Sequence, residues 1–218
     1  MSRRLIAVLV TAAALVSACS SSGGKPATKP VTGPTYTDAQ ATAGLLLASD
    51  LPDGYKRDPG YQHDSVPGGC KAVDDALTKE ASLSPRFLVT SYRIADDSSS
   101  IDHEIELFAS PAAAAAQYDR LIAALGTCKS WPLAAGTSSA TISLTPSESG
   151  VLGERSTLLT LLVDAGQDKV GGKALFAVSG NAIFSLAESG SLGSDSDPRV
   201  DLRTLARKLL QRLRAQAG

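Results

Sequence analysis

Ile101-Asp102-His103-Glu104-Ile105-Glu106-Leu107 alternates along its length, with Ile101, His103, Ile105 and Leu107 at one parity and three carboxylates at the other. Successive strand side chains point to opposite faces, so this run predicts a half-buried strand, Ile101–Ala109, with an apolar face inward and Asp102, Glu104 and Glu106 toward water. Ser110-Pro111 follows at once. Ser is a favoured N-cap and Pro a favoured first helical residue, so a helix starts here. It runs through the five alanines 112–116 to Gly126, with Tyr118, Leu121, Ile122 and Leu125 as its buried stripe. A strand that feeds straight into an amphipathic helix points to an α+β domain.

Working outward toward the N-terminus, Arg86–Ile94 predicts a second strand, joined to the first across Asp96-Asp97-Ser98-Ser99-Ser100, which has turn chemistry. Val73, Ala76, Leu77 and Ala81 mark a short helix that ends before Pro85. Asp38–Ser49 predicts an earlier helix, capped by Thr37 or Asp38 and stopped by Leu51-Pro52-Asp53-Gly54-Tyr55; residues 56–69 read as irregular. Toward the C-terminus, Ser138–Thr145, Ser156–Val163, Lys173–Val178 and Ala182–Ala187 predict a meander with a tight turn at Ser179-Gly180-Asn181. Pro198 opens a last helix whose apolar face is Leu202, Leu205, Ala206, Leu209, Leu210 and Leu213. Its Arg203, Arg207, Lys208, Arg212 and Arg214 make a basic stripe, read as a solvated face suited to the helix C-terminal dipole against the alternative of contact with anionic lipid or cell-wall polymer. The expectation is one α+β domain over residues 38–218, a twisted antiparallel sheet of about six strands packed against helices.

The start of the chain is of a different kind. Arg3 and Arg4 precede a 12-residue apolar run, Leu5–Val16, and Val16-Ser17-Ala18-Cys19 closes it. The run falls short of the ~20 residues needed to cross a bilayer, so it reads as a secretory signal over residues 1–18. Val16-Ser17-Ala18-Cys19 resembles a bacterial lipobox, and that resemblance implies cleavage before Cys19 and diacylglycerol on its thiol. The membrane is then a partner through the lipid anchor, on the extracytoplasmic face. Residues 19–37 form the lipidated Cys and a Ser/Gly/Pro-rich tether, whose 18 residues from Ser20 span roughly 25 Å if flexible.

The formal charge is -1, and loss of Arg3 and Arg4 leaves 19 basic against 22 acidic residues. Phosphate binding needs a basic surplus, which excludes nucleic acid as an expected partner. Of three cysteines, assigning Cys19 to lipid leaves Cys70 and Cys128. An exported chain meets an oxidising compartment, so they are expected to form a disulfide.

No complete catalytic or metal motif follows. Gly166–Lys173 has one Gly too many before its Lys and Ala174 where a P-loop has Ser/Thr, and it joins two strands. His103-Glu104 has Leu107 in place of the second His of a zinc-protease helix, and only His63 supplies another imidazole. No G-x-S-x-G elbow occurs. The expectation is therefore no catalytic residue, no metal and no cofactor. Tyr92, His103 and Trp131 are the candidates for the wall of a ligand cleft, against the plainer readings of His103 as a hydrogen-bonded core residue and of Trp131 as a ring packed over the disulfide.

The order of two short helices, two strands, an Ala-rich helix, a meander and a closing helix, with Leu51-Pro52-Asp53-Gly54-Tyr55, Cys70 and Cys128, resembles actinobacterial envelope lipoproteins. More closely, it is similar to the extracellular sensor domain of the mycobacterial Ser/Thr protein kinase H group, over about residues 38–216. The resemblance implies a sensor fold with two disulfides lining a cleft, of which only one can form here. With no kinase segment among these residues, signalling would pass to a separate partner. The expected function is non-catalytic binding of a small molecule or envelope component. The alternatives are a scaffold contacting another envelope protein and a cell-wall hydrolase with a dispersed site.

Overall fold

The computed structural model describes residues 31–61, 69–83, 85–94, 99–135, 138–152, 155–166, 168–191 and 200–217. Cys19, the signal and His63 lie outside them. An eight-stranded, wholly antiparallel sheet organises the domain. Its strands are β1 (Tyr55–Arg57), β2 (Arg86–Ile94), β3 (Ser99–Leu107), β4 (Ser130–Ala135), β5 (Ser138–Ser149), β6 (Ser156–Ala165), β7 (Asp168–Ser179) and β8 (Ala182–Ser191). The spatial order β1-β2-β3-β8-β7-β6-β5-β4 sets the meander β4–β8 beside β3, so the most strongly alternating strand of the sequence lies inside the sheet.

Among the described residues four α-helices cover the two faces: α1 (Asp38–Ala43), α2 (Lys71–Ser82), α3 (Pro111–Thr127) and α4 (Leu202–Ala215). On one face α4 packs on β7 and β8, and α1 packs on β2 and α4. The core beneath them includes Ile101, Ile105, Phe184, Leu186, Leu209 and Leu213. All six apolar positions anticipated for the closing helix are buried. Each buried leucine contributes about 1.5–3 kcal/mol, enough to hold the helix down without help from propensity. On the opposite face α3 crosses β5, β7 and β8, and α2 lies against α3.

The α+β class and the single antiparallel sheet agree with expectation; the strand count does not. β1 and β4 raise it from six to eight. β1 is three residues long between a turn and Asp58-Pro59, too short for a period to show. β4 contains Pro132, which lacks an amide donor; it is tolerated because β4 is an edge strand with β5 as its one neighbour. Gly171 and Gly172, read as loop before the strand expected from Lys173, lie within β7, which pairs with β6 as a hairpin. The first helix ends at Ala43 instead of Ser49, leaving Leu46 buried and Leu47 half-exposed. The last helix begins at Leu202, capped by Asp201, whose carboxylate accepts from the Arg203 amide.

The folded domain also begins earlier than residue 38. Tyr36 is buried, its amide donates to Asn181 Oδ1 at 2.7 Å, and its Oη shares a 2.9 Å hydrogen bond with Ser179 Oγ. Asn181 Nδ2 donates to the carbonyls of Tyr36 and Phe108. Gly180, in the same β7–β8 turn, has φ +55°, and a Cβ there would stand 1.9 Å from the Pro34 carbonyl oxygen. Only glycine lets the incoming segment cross the turn so closely.

The predicted solvent face of β3 is the largest departure. Glu106 is only 5% exposed, and Asp102 and Glu104 are half-buried; on this side of the sheet α3 lies over the neighbouring β8 and β7, with α2 against it. A period of two identifies which residues share a face but not whether another layer covers it.

Candidate functional site

α2 begins immediately after Cys70, and Cys128 is the C-cap of α3. The two cysteines are disulfide-bonded with Cα atoms 6.1 Å apart, tying the start of one helix to the end of the other. From Cys128 the chain turns directly into β4, which places Trp131 opposite Ile142 of β5. Trp131 is buried in the second core cluster with Val73, Ala76, Leu121, Leu125, Cys128 and Leu159. Gly69 explains the closeness of this packing. A Cβ there would lie 2.7 Å from the Pro132 carbonyl oxygen and 2.8 Å from Trp131 Cδ1.

Outside this junction is an open hollow of about 590 Å³, lined by Gly69, Cys70, Lys71, Lys129, Ser130 and Trp131 among others. Lys71 pairs with Asp75 at 2.7 Å, one helical turn on, and both are exposed. The hollow is lined by apolar groups together with ammonium, carboxylate and hydroxyl groups. That suits a small amphiphilic ligand and offers no nucleophile–base pair.

Tyr92 and His103 are brought together elsewhere, on the opposite face of the sheet. Tyr92 Oη donates to the Leu46 carbonyl at 3.2 Å, and the Leu46 amide donates to His103 Nδ1 at 3.1 Å. Both residues are buried in the α1/α4 core, and the His103 ring lies 4.5 Å from that of Phe184. Because Nδ1 accepts, the neutral ring carries its proton on Nε2, which has no hydrogen-bond partner among the described residues. Burial, reinforced by the Arg212 charge and opposed by Asp50, pulls the His103 pKa down to about 3. A neutral imidazole sealed from solvent packs the core instead of lining a cleft.

Asp50 completes that network. Its carboxylate, 2% exposed, takes Arg212 at 2.6 Å and Lys208 at 2.8 Å, and accepts from the Leu47 amide. Burial alone would raise its pKa; the hydrogen bonds from Arg212, Lys208 and Leu47 outweigh burial and hold it at about 2. Arg212 also donates to the Leu45 carbonyl. Part of the anticipated solvated basic face is thus committed to fastening the segment after α1.

Of the three cleft candidates, Trp131 lines the hollow, while Tyr92 and His103 are buried in the opposite core. Lys71, Lys129 and Gly69 were not singled out in the sequence; the signal that pointed toward them was the expected disulfide, whose two ends bring their neighbours together.

No protein-family model and no curated protein matches the chain. Among solved structures, an uncharacterised Mycobacterium smegmatis protein, an Rv0999 ortholog, gives a TM-score of 0.41 at 13% identity, over 83% of this chain and 96% of that one. The extracellular domain of PknH from Mycobacterium tuberculosis gives 0.63 at 9% identity, over 84% of this chain and 97% of that one. In fold, the domain is therefore similar to the PknH extracellular domain, as the order of its helices and strands suggested.

Proposed function

We propose that this chain is a lipid-anchored protein of the extracytoplasmic membrane face whose α+β domain binds a small envelope ligand, without catalysis, in the hollow beside Cys70–Cys128. The observation that carries the reading is that hollow, set against the single Trp131 in a domain similar in fold to the PknH extracellular domain. The lipobox-like Val16-Ser17-Ala18-Cys19 supports the anchor. A hydrolase built on His103 is disfavoured, since its imidazole is enclosed and its Nδ1 is occupied by Leu46. A scaffold is not favoured either: of the exposed large apolar residues among those described, Val31 precedes α1, Leu47 follows it and Val170 lies on β7, so they are far apart in the sequence.

Two measurements test the parts separately. Cys19→Ser is expected to move the protein from the membrane fraction to the soluble one; continued membrane association refutes the anchor. Soluble cell-wall fragments titrated into the folded domain are expected to shift or quench Trp131 emission saturably, with the response reduced by Lys129→Glu. A flat titration across peptide, glycan and lipid-headgroup fragments refutes the binding role.

A further inference from the structure

The carboxylates of β3 that face α2 and α3 take no part in the hollow. Glu106 is 5% exposed, and its Oε2 has no hydrogen-bond partner among the described residues. Its ladder neighbours are Phe87 on β2 and Ile183 on β8, neither of which titrates. The C-cap of α2, Leu83, packs on the cluster that contains Ile183, and α2 carries Glu80, also 5% exposed, whose charge acts on Glu106. Glu80 Oε2 accepts from Gln117 Nε2 of α3 at 2.9 Å; the same nitrogen donates to the Ala76 carbonyl at 3.1 Å. Gln117 Oε1 accepts from Arg120, so both ends of the amide are engaged and the α3 guanidinium is directed to it. Glu104 adds a like charge from β3 itself. Burial first, then Glu80, then Glu104, push the Glu106 carboxyl well above its usual range.

We propose that Glu106 is a proton-binding site that latches α2 onto the sheet. With its proton bound, the neutral carboxyl sits under the helix. When the proton leaves to solvent, the carboxylate cannot stay buried beside Glu80, and the C-terminal half of α2 lifts. The Cys70–Cys128 bond holds the N-terminal end of α2 in place, so the motion is a hinge and not a release. The domain thus closes α2 in acid and loosens it toward alkaline pH, independently of any ligand in the hollow.

The linkage has a defined sign. A carboxyl whose folded pKa is raised stabilises the closed state fully below its unfolded pKa, and that stability is lost as pH rises through the folded value. Each pH unit between the two changes the closing constant up to about tenfold. His103, with its depressed pKa, acts oppositely below about pH 6.5, but it lies on the other face and is common to every variant compared.

Amide hydrogen exchange of the disulfide-intact domain between pH 5 and 8, corrected for intrinsic rates, tests the latch. The opening constant of the α2 amides is expected to rise at least tenfold in the wild type while α4 amides stay constant. In Glu106→Gln it is expected to vary less than twofold. If that variant does not fold, Glu80→Gln, which removes the repelling charge and keeps Glu106, is expected to reduce the rise. A wild-type α2 whose opening is independent of pH overturns the proposal. So does an undiminished rise in the variant measured.

Discussion

Tyr92 and His103 grip the two ends of one residue: Tyr92 Oη donates to the Leu46 carbonyl and His103 Nδ1 accepts from the Leu46 amide. Leu46 has left α1 and has no helical partner for either group, so two strand side chains complete its backbone hydrogen bonding inside the core.

His103→Leu keeps the apolar volume but strands the Leu46 amide. The expected loss is about 1–3 kcal/mol, the cost of one buried unsatisfied donor, read from urea denaturation. Tyr92→Phe removes the weaker partner and should cost about 1 kcal/mol. An unchanged midpoint for His103→Leu would contradict the geometry.

Asp50 should govern the acid limb of stability. Its folded pKa of about 2 lies below the unfolded value of roughly 4, so its contribution is complete above the unfolded value and disappears as pH falls through the folded one. Asp50→Asn leaves Arg212 and Lys208 without their anion, and is expected to lose about 3 kcal/mol at pH 7. The difference from wild type should shrink toward pH 2 in thermal melts.

Reduction of Cys70–Cys128 opens a loop of 58 residues' separation. The chain-entropy model assigns such a crosslink about 4 kcal/mol. Because Trp131 packs with Cys128, melting followed by its emission should show a lowered midpoint on reduction, and Cys70→Ser should match it. Equal midpoints with and without reductant would remove the disulfide's structural role.

Asn181→Ala breaks three hydrogen bonds that fasten the Tyr36 segment to the β7–β8 turn and to Phe108. The expected cost is about 2–4 kcal/mol, with faster proteolysis near Tyr36. Truncation after Thr37, where sequence composition alone would start the domain, should cost as much.

Glu106 shows where local pattern ceases to inform. Its strand, its parity and its neighbours were legible from a period of two, as was the apolar face of α4 from a period of 3.6. The register that sets β3 beside β8 depends on pairs 70 or more residues apart, and the helices placed over its acidic side depend on how the layers pack, which no local period records. The same limit separated Trp131 from Tyr92 and His103, which a list of aromatic and imidazole residues had grouped.

By itself the sequence determined the α+β class, the antiparallel meander, the pairing of Cys70 with Cys128, and the helix starts marked by Ser110-Pro111 and Thr37. These follow from short-range sterics, capping chemistry and cysteine count, which act within a few residues or by elimination. Tertiary structure alone decided the two edge strands, the burial of Glu106 with Glu80, the enclosure of His103, and the hollow outside Trp131. Each of these is set by which surfaces the layers cover, and coverage is a property of the packed chain.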